Sequence, residues 1–117
     1  MKKYKKLFIK NNLTIYKAME KLQISALKQL LVVNNKDKLL GTLTDGDIRR
    51  AFLKGFNISD KIKNIFNQNP IFFSKNKFNL DQASKKLIKE KLLFAPVVNN
   101  KKIITDLIFQ NQIKILK

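Results

Sequence analysis

One stretch of this chain is written twice, at a fixed offset. Thr14-Ile15-Tyr16-Lys17-Ala18-Met19-Glu20-Lys21-Leu22 returns 65 positions later as Asn79-Leu80-Asp81-Gln82-Ala83-Ser84-Lys85-Lys86-Leu87, with the cap and the apolar spacing kept. At the same offset Leu31-Val32-Val33-Asn34-Asn35 returns as Pro96-Val97-Val98-Asn99-Asn100, and Leu7-Phe8-Ile9-Lys10-Asn11 as Phe72-Phe73-Ser74-Lys75-Asn76. A single match of apolar residues would mean little. Three blocks in register make two copies of one supersecondary unit.

The first copy shows what the unit is. Thr14 is a helix cap, and Ile15, Ala18, Met19 and Leu22 follow at the spacing of a one-faced helix over 14–24. The run over 30–33 is a continuously apolar strand, 34–38 a hairpin turn and 39–44 the return strand. A helix from Asp47 to about Lys54, stopped by Gly55, completes a strand-helix-strand-strand-helix unit. The expected fold is α/β (α+β): a first copy over 1–55, an ordered connector over 56–69 and a second copy over 70–117. In the connector Ser59 or Asp60 can cap a short helical turn carrying Ile62, Ile65 and Phe66. Asn69-Pro70 then forces an extended entry into the second copy.

With 117 residues the chain can bury about two thirds of its unfolded surface, so it needs neither disulfide nor metal to fold. It has no cysteine and no histidine, which removes thiolate chemistry, imidazole acid-base chemistry and the commonest zinc ligands. The eight acidic residues form no convergent cluster beyond Asp45 and Asp47, so neither a catalytic residue nor a metal site is expected. A magnesium ion held by those two aspartates together with a phosphate is the weaker alternative. Met1 to Lys6 lead into only three apolar residues, too short for a signal-peptide core, and no run approaches membrane-spanning length. A cytoplasmic protein without a membrane partner is expected.

The formal charge of +17 invites a nucleic-acid reading through counterion release. The lysines are scattered, however, and Arg49 and Arg50 are the sole arginines. No aromatic is interleaved with the basic residues as in single-strand or RNA motifs, and no nucleic-acid partner is expected. Phe72, Phe73, Phe78, Phe94 and Phe109 alternate with core positions and read as packing.

Chemistry can sit at Thr44-Asp45-Gly46-Asp47, where a strand turns into a helix. A hydroxyl and a carboxylate flank free backbone N–H groups at the positive end of a helix dipole, a setting that suits a phosphate. A carboxylate three residues after the hydroxyl can take both hydroxyls of a ribose. The same residues also serve as a plain cap with a relaxed turn. Arg49 and Arg50, on the first turn of that helix, fit either a ligand phosphate or a solvated face. Aligning the second copy sets Gly41 against Thr105, Thr44 against Ile108 and Asp47 against Asn111. The hydroxyl and carboxylate are then gone, so a second site would be degenerate.

Gly41, Thr44 and Asp47 after a Val-Val-Asn strand, repeated in tandem with the Asn69-Pro70-Ile71 lead-in, resemble a pair of cystathionine-beta-synthase-type (CBS) domains forming a Bateman module. The resemblance covers nearly the whole chain. It implies two βαββα units related by a pseudo-twofold, sheets packed together with helices outside and two clefts between them, and a homodimer. It also implies an adenine or related nucleotide (regulatory AMP, ADP or ATP, with no required cofactor), its phosphate at Thr44 and its ribose at Asp47, beside Gly41 and Asp45. The base would lie near Ile9 and near Leu30 and Leu31. Gly41-Thr42-Leu43-Thr44-Asp45-Gly46-Asp47-Ile48-Arg49-Arg50-Ala51 further resembles CBS pairs on bacterial sugar-processing enzymes. Among these are arabinose-5-phosphate isomerases and, more closely, sugar nucleotidyltransferases of the legionaminic-acid type, which implies a catalytic nucleotidyltransferase domain after Lys117. The competing expectation is a structural dimerisation module with empty clefts, joined through helix faces bearing Ile48 and Phe52.

Overall fold

The computed structural model describes residues 2–110, which fall into two compact units divided between Pro70 and Ile71. In the first unit a 3-10 helix (Lys2–Leu7) leads into β1 (Phe8–Lys10), α1 (Ile15–Ser25), β2 (Gln29–Val33), β3 (Leu39–Thr44) and α2 (Asp45–Leu53). The sheet order is β1-β2-β3, with β1 parallel and β3 antiparallel to β2. Thr44 is the cap of α2, so the helix starts two residues earlier than the sequence suggests.

The core of this unit explains its sequence. Ile15, Ala18 and Leu22 of α1 and Ile48 and Ala51 of α2 bury against Ile9, Leu30, Val32 and Leu43 of the sheet. Burying each large aliphatic side chain contributes about 1.5 to 3 kcal/mol. Met19, counted on the apolar stripe of α1, is 40% exposed instead, and the stripe is narrower than its spacing implies. Ile48 is 4% exposed and belongs to this core. It is therefore not available as a dimer contact, whereas Phe52 and Leu53 are exposed.

The segment after α2 is built into the same unit. Ile62 is fully buried in its core, and Phe56, Ile65 and Phe66 pack against it. The backbone carbonyls of Asp60 and Ile58 accept the N–H groups of Ile15 and Tyr16 at 2.8 and 2.9 Å, satisfying donors that the first turn of α1 leaves without helical partners. Thr42 and Asn67 exchange both backbone hydrogen bonds, at 3.0 and 2.8 Å, along the outer edge of β3. The expected capping by Ser59 or Asp60 does not occur. The short 3-10 helix Ile62–Asn64 follows Lys61 with no side-chain cap, while the Asp60 carboxylate accepts the Asn57 N–H and the Ser59 hydroxyl donates to Asn57 Oδ1, closing the preceding turn.

The second unit contains β4 (Phe73–Ser74), α3 (Leu80–Lys89), β5 (Phe94–Val98) and β6 (Ile104–Phe109), with sheet order β4-β5-β6. Ala83, Leu87, Ala95, Val97 and Ile108 form its core. The repeat extends to backbone detail. Both hairpins slip register at the same place, between Val32 and Val33 and between Val97 and Val98. Both turns are closed by an asparagine, Asn34 Oδ1 accepting from Lys36 and Lys38 and Asn99 Oδ1 from Lys101 and Ile103. Left-handed residues recur as Ala26 and Lys91, and as Asp37 and Lys102. The final helix expected of the second copy, with Asn111, lies outside the described residues.

The strand pairing corrects one alignment. Gln29 opposes Thr44 while Phe94 opposes Phe109, and Val32 opposes Gly41 while Val97 opposes Asp106. The counterpart of Thr44 is thus Phe109 and that of Gly41 is Asp106, one position later than expected. The counterpart of Asp47 is Gln112, outside the described residues. Ile108 corresponds to Leu43, and both are core residues.

Candidate functional site

Extended backbone at Thr44 ends β3, and the chain turns directly into α2. Thr44 Oγ1 accepts the Asp47 N–H at 3.3 Å, and Asp47 Oδ2 accepts the Thr44 N–H at 3.0 Å, a reciprocal capping box. The Thr44 hydroxyl also donates to Asp47 Oδ2 at 3.1 Å. On the far side of the carboxylate, Arg50 Nη2 donates to Oδ1 at 2.9 Å. The Asp47 side chain is 16% exposed and that of Arg50 64%, so a half-buried carboxylate is covered by a cation that reaches solvent. The guanidinium lies back across Gly46, where an added Cβ would stand 3.3 Å from two of its nitrogens.

The structure thus brings Thr44, Asp47 and Arg50 together in one hydrogen-bonded cluster. Asp45 is exposed on the first turn of the same helix. Gly41 immediately precedes Thr42 in β3 and faces the connector. A Cβ there would meet the Asn67 carbonyl oxygen and the Phe66 ring, so glycine is required for close packing. Ile9 and Leu30 are buried at 2% and 0% exposure in the core beneath the helices, so a ligand could meet them only through their backbone. Leu31 follows Leu30 on the opposite sheet face and is also fully buried. Gln29, a buried polar residue opposite Thr44, was missed. Its signal in the sequence was a lone amide heading an apolar strand.

Alongside the cluster is a pocket of about 150 Å³ lined by Asp47, Arg50, Lys54, Phe56, Asn64 and Ile65. Among the described residues no group of three histidine, cysteine or acidic side chains could hold a metal ion. No described helix is long and apolar enough to cross a membrane.

A parallel strand, a helix, a hairpin and a second helix, with a Thr-Asp cap at the head of that helix, describe a known small unit. Residues 3–54 match the CBS domain. An uncharacterized protein of Helicobacter pylori strain J99 is 39% identical over 51 residues, which are 44% of this chain and 14% of that protein. This chain accordingly spans a small part of that relative's length.

Among solved structures, MJ1225 from Methanocaldococcus jannaschii superposes with a TM-score of 0.77 at 24% identity, over 93% of this chain and 45% of its own. The CBS domain pair of MJ0100, in complex with 5-methylthioadenosine and S-adenosyl-L-methionine, gives 0.73 at 23% identity, over 93% and 85%. CBSX2 in complex with AMP gives 0.75 at 17% identity, over 93% and 84%. At these identities the likeness is one of fold, and the fold is that of a CBS domain pair.

Proposed function

We propose that this chain is a regulatory CBS-pair module that senses an adenine or related nucleotide, AMP, ADP or ATP, at the Thr44–Asp47 corner. The observation that carries the reading is the cluster of Thr44, Asp47 and Arg50 at the head of α2, a carboxylate set between an alcohol and a guanidinium. The fold adds support, since solved pairs of the same architecture hold AMP and S-adenosyl-L-methionine. The carboxylate accepts the ribose hydroxyls, the hydroxyl and first-turn N–H groups meet phosphate, and the second copy carries Phe109, which has no hydroxyl, at the threonine position. The module itself is non-catalytic. Binding is transmitted as a preference between two arrangements of the module, which biases an attached catalytic domain.

The wording of residues 41–51 supports a sugar-activating nucleotidyltransferase of the legionaminic-acid type as that partner, following Lys117, in a cytoplasmic homodimer. Isothermal calorimetry with AMP, ADP, ATP, GTP and CMP-type ligands tests the sensing reading. Binding weakened about tenfold by Asp47→Ala is expected, and no heat with any ligand overturns it.

One observation favours a second reading, a dimerisation module without ligand. The Thr44 hydroxyl and the Asp47 carboxylate already satisfy each other and the helix start. That reading requires a dimer by light scattering whose melting temperature no nucleotide moves.

A further inference from the structure

The hairpin end of the first sheet carries a pocket of about 480 Å³. Lys10 pairs with Val33 and Gln29 with Thr44, so this pocket lies about 13 Å along β2 from the Thr44 corner. Phe8, Leu13 and Val33 give it an apolar floor, and Lys5, Lys10 and Lys21 reach it from three different elements. Asp37 is the one carboxylate of the lining, and Lys5 holds it at 2.8 Å. Among the described residues Lys10 and Lys21 pair with no carboxylate. Lys10 Nζ donates to the neutral Asn35 Oδ1 at 3.2 Å, and the Asn35 NH2 group keeps its own donors for a ligand. The same positions in the second copy are filled and paired. At the constant offset of 65, Lys86 stands for Lys21 and is paired with Glu90 at 3.8 Å, while the first copy has Ser25 at the glutamate position. Phe78 stands for Leu13, its ring centroid 5.4 Å from that of Phe73, so a larger side chain packs where Leu13 leaves room. Lys102 stands for Asp37, with its ammonium 4.8 Å from the centroid of the Phe72 ring.

We infer that this pocket binds a small dicarboxylate with a hydrocarbon spine, one carboxylate on Lys10 and Asn35, the other on Lys21, and the spine over Phe8 and Leu13. Two ammonium groups without a carboxylate, set on different elements, suit two separated charges better than one compact dianion. The lining has no arginine fork to orient a phosphate, and its floor offers no polar side chain to sugar hydroxyls. The apolar floor lowers the local dielectric, which strengthens the pull of both lysines on a carboxylate. The site includes neither Thr44 nor Asp47, so it does not rest on the nucleotide-sensing reading.

The test is an NMR titration of the isotope-labelled 117-residue chain with glutarate, pentanoate and pentanol, which carry two, one and no carboxylates on the same carbon chain. It is run on the native protein, on Lys10→Gln, Lys21→Gln and Leu13→Phe, and on Lys85→Gln of α3 as a charge control. Glutarate is expected to shift the Lys10, Leu13, Lys21 and Asn35 amides, to bind about tenfold more tightly than pentanoate, and to be weakened about tenfold by either pocket lysine variant. Pentanol should move none of these amides, and Lys85→Gln should bind as the native chain does. Leu13→Phe installs the residue of the second copy and should weaken glutarate about tenfold or more; if its melting curve shows that it does not fold, the two lysine variants decide alone. No shift with glutarate, pentanoate as tight as glutarate, or an equal loss from Lys85→Gln each overturns the site. Glutarate shifts centred on Thr44 and Asp47 that AMP displaces also overturn it. AMP binding that leaves the glutarate affinity unchanged supports two separate sites, whereas glutarate binding through Lys10 and Lys21 without any AMP binding supports this site and overturns the nucleotide reading.

Discussion

Thr44 and Asp47 complete each other's backbone: Asp47 Oδ2 accepts the Thr44 N–H at 3.0 Å, and Thr44 Oγ1 accepts the Asp47 N–H at 3.3 Å. The side chains that a ligand would engage are therefore also the ones that start α2. Any ligand at this corner competes with, or adds to, a cap the fold already relies on.

Removing the hydroxyl should cost stability even with no ligand present. Thr44→Ala leaves the Asp47 N–H without its acceptor, and urea denaturation should show a loss of about 1 kcal/mol. Thr44→Ser retains the oxygen and should lose a smaller amount. Equal losses for the two would mean the threonine methyl, not the cap, carries the effect.

Gly41→Ala probes the contact between β3 and the connector. The new methyl would overlap the Asn67 carbonyl and the Phe66 ring, so the paired hydrogen bonds between Thr42 and Asn67 must shift. A loss of about 1 to 3 kcal/mol is expected. Faster hydrogen exchange at the Thr42 and Asn67 amides, with α1 amides less affected, would locate it. Unchanged exchange at those two amides would show that Gly41 does not serve this packing.

Much of this was readable from residue order, and the failures have physical causes. Periodicity located α1 and α3, and the caps Thr14 and Asn79 stand where their side chains reach the third N–H of each helix. The one-residue error at Ile108 is an offset of 64 carried into the return strand where the three aligned blocks share 65; the constant offset sets Phe109 against Thr44, and the pairing of Phe94 with Phe109 agrees. The left-handed Ala26, Lys91 and Lys102 were illegible because none is the glycine or asparagine that marks such positions. The caps that Asp60 and Ile58 give α1 are main-chain carbonyls, invisible to any reading of side chains. At the site, Thr44 and Asp47 were named from their spacing, while the roles of Lys54, Phe56 and Asn64 depend on how the connector folds back.

Ile62 tests whether the connector belongs to the core. It is fully buried, so Ile62→Ala should cost about 2 to 5 kcal/mol, while Ile58→Ala, at a side chain 49% exposed, should stay within about 0.5 kcal/mol. Comparable small losses at both would mean that the segment over 56–67 is only loosely attached.

Asp47→Ala separates the cap from the ligand. Without nucleotide the variant should lose about 1 kcal/mol, because the Thr44 N–H gives up its carboxylate partner and Arg50 its ion pair. With AMP or ADP at about a hundred times the native dissociation constant, the native chain should gain about 2.7 kcal/mol. A variant with tenfold weaker binding should gain only about 1.4 kcal/mol under the same conditions, since the ligand is then at ten times its own constant. The shortfall of about 1.3 kcal/mol corresponds to about 4 to 6 °C in the nucleotide-induced shift of Tm for a chain of this length. It is read as a difference of differences, so the lost cap cancels. If the two proteins gain equally from nucleotide, Asp47 holds the helix and nothing else. If neither gains, the corner is a cap alone and the dimerisation reading takes its place.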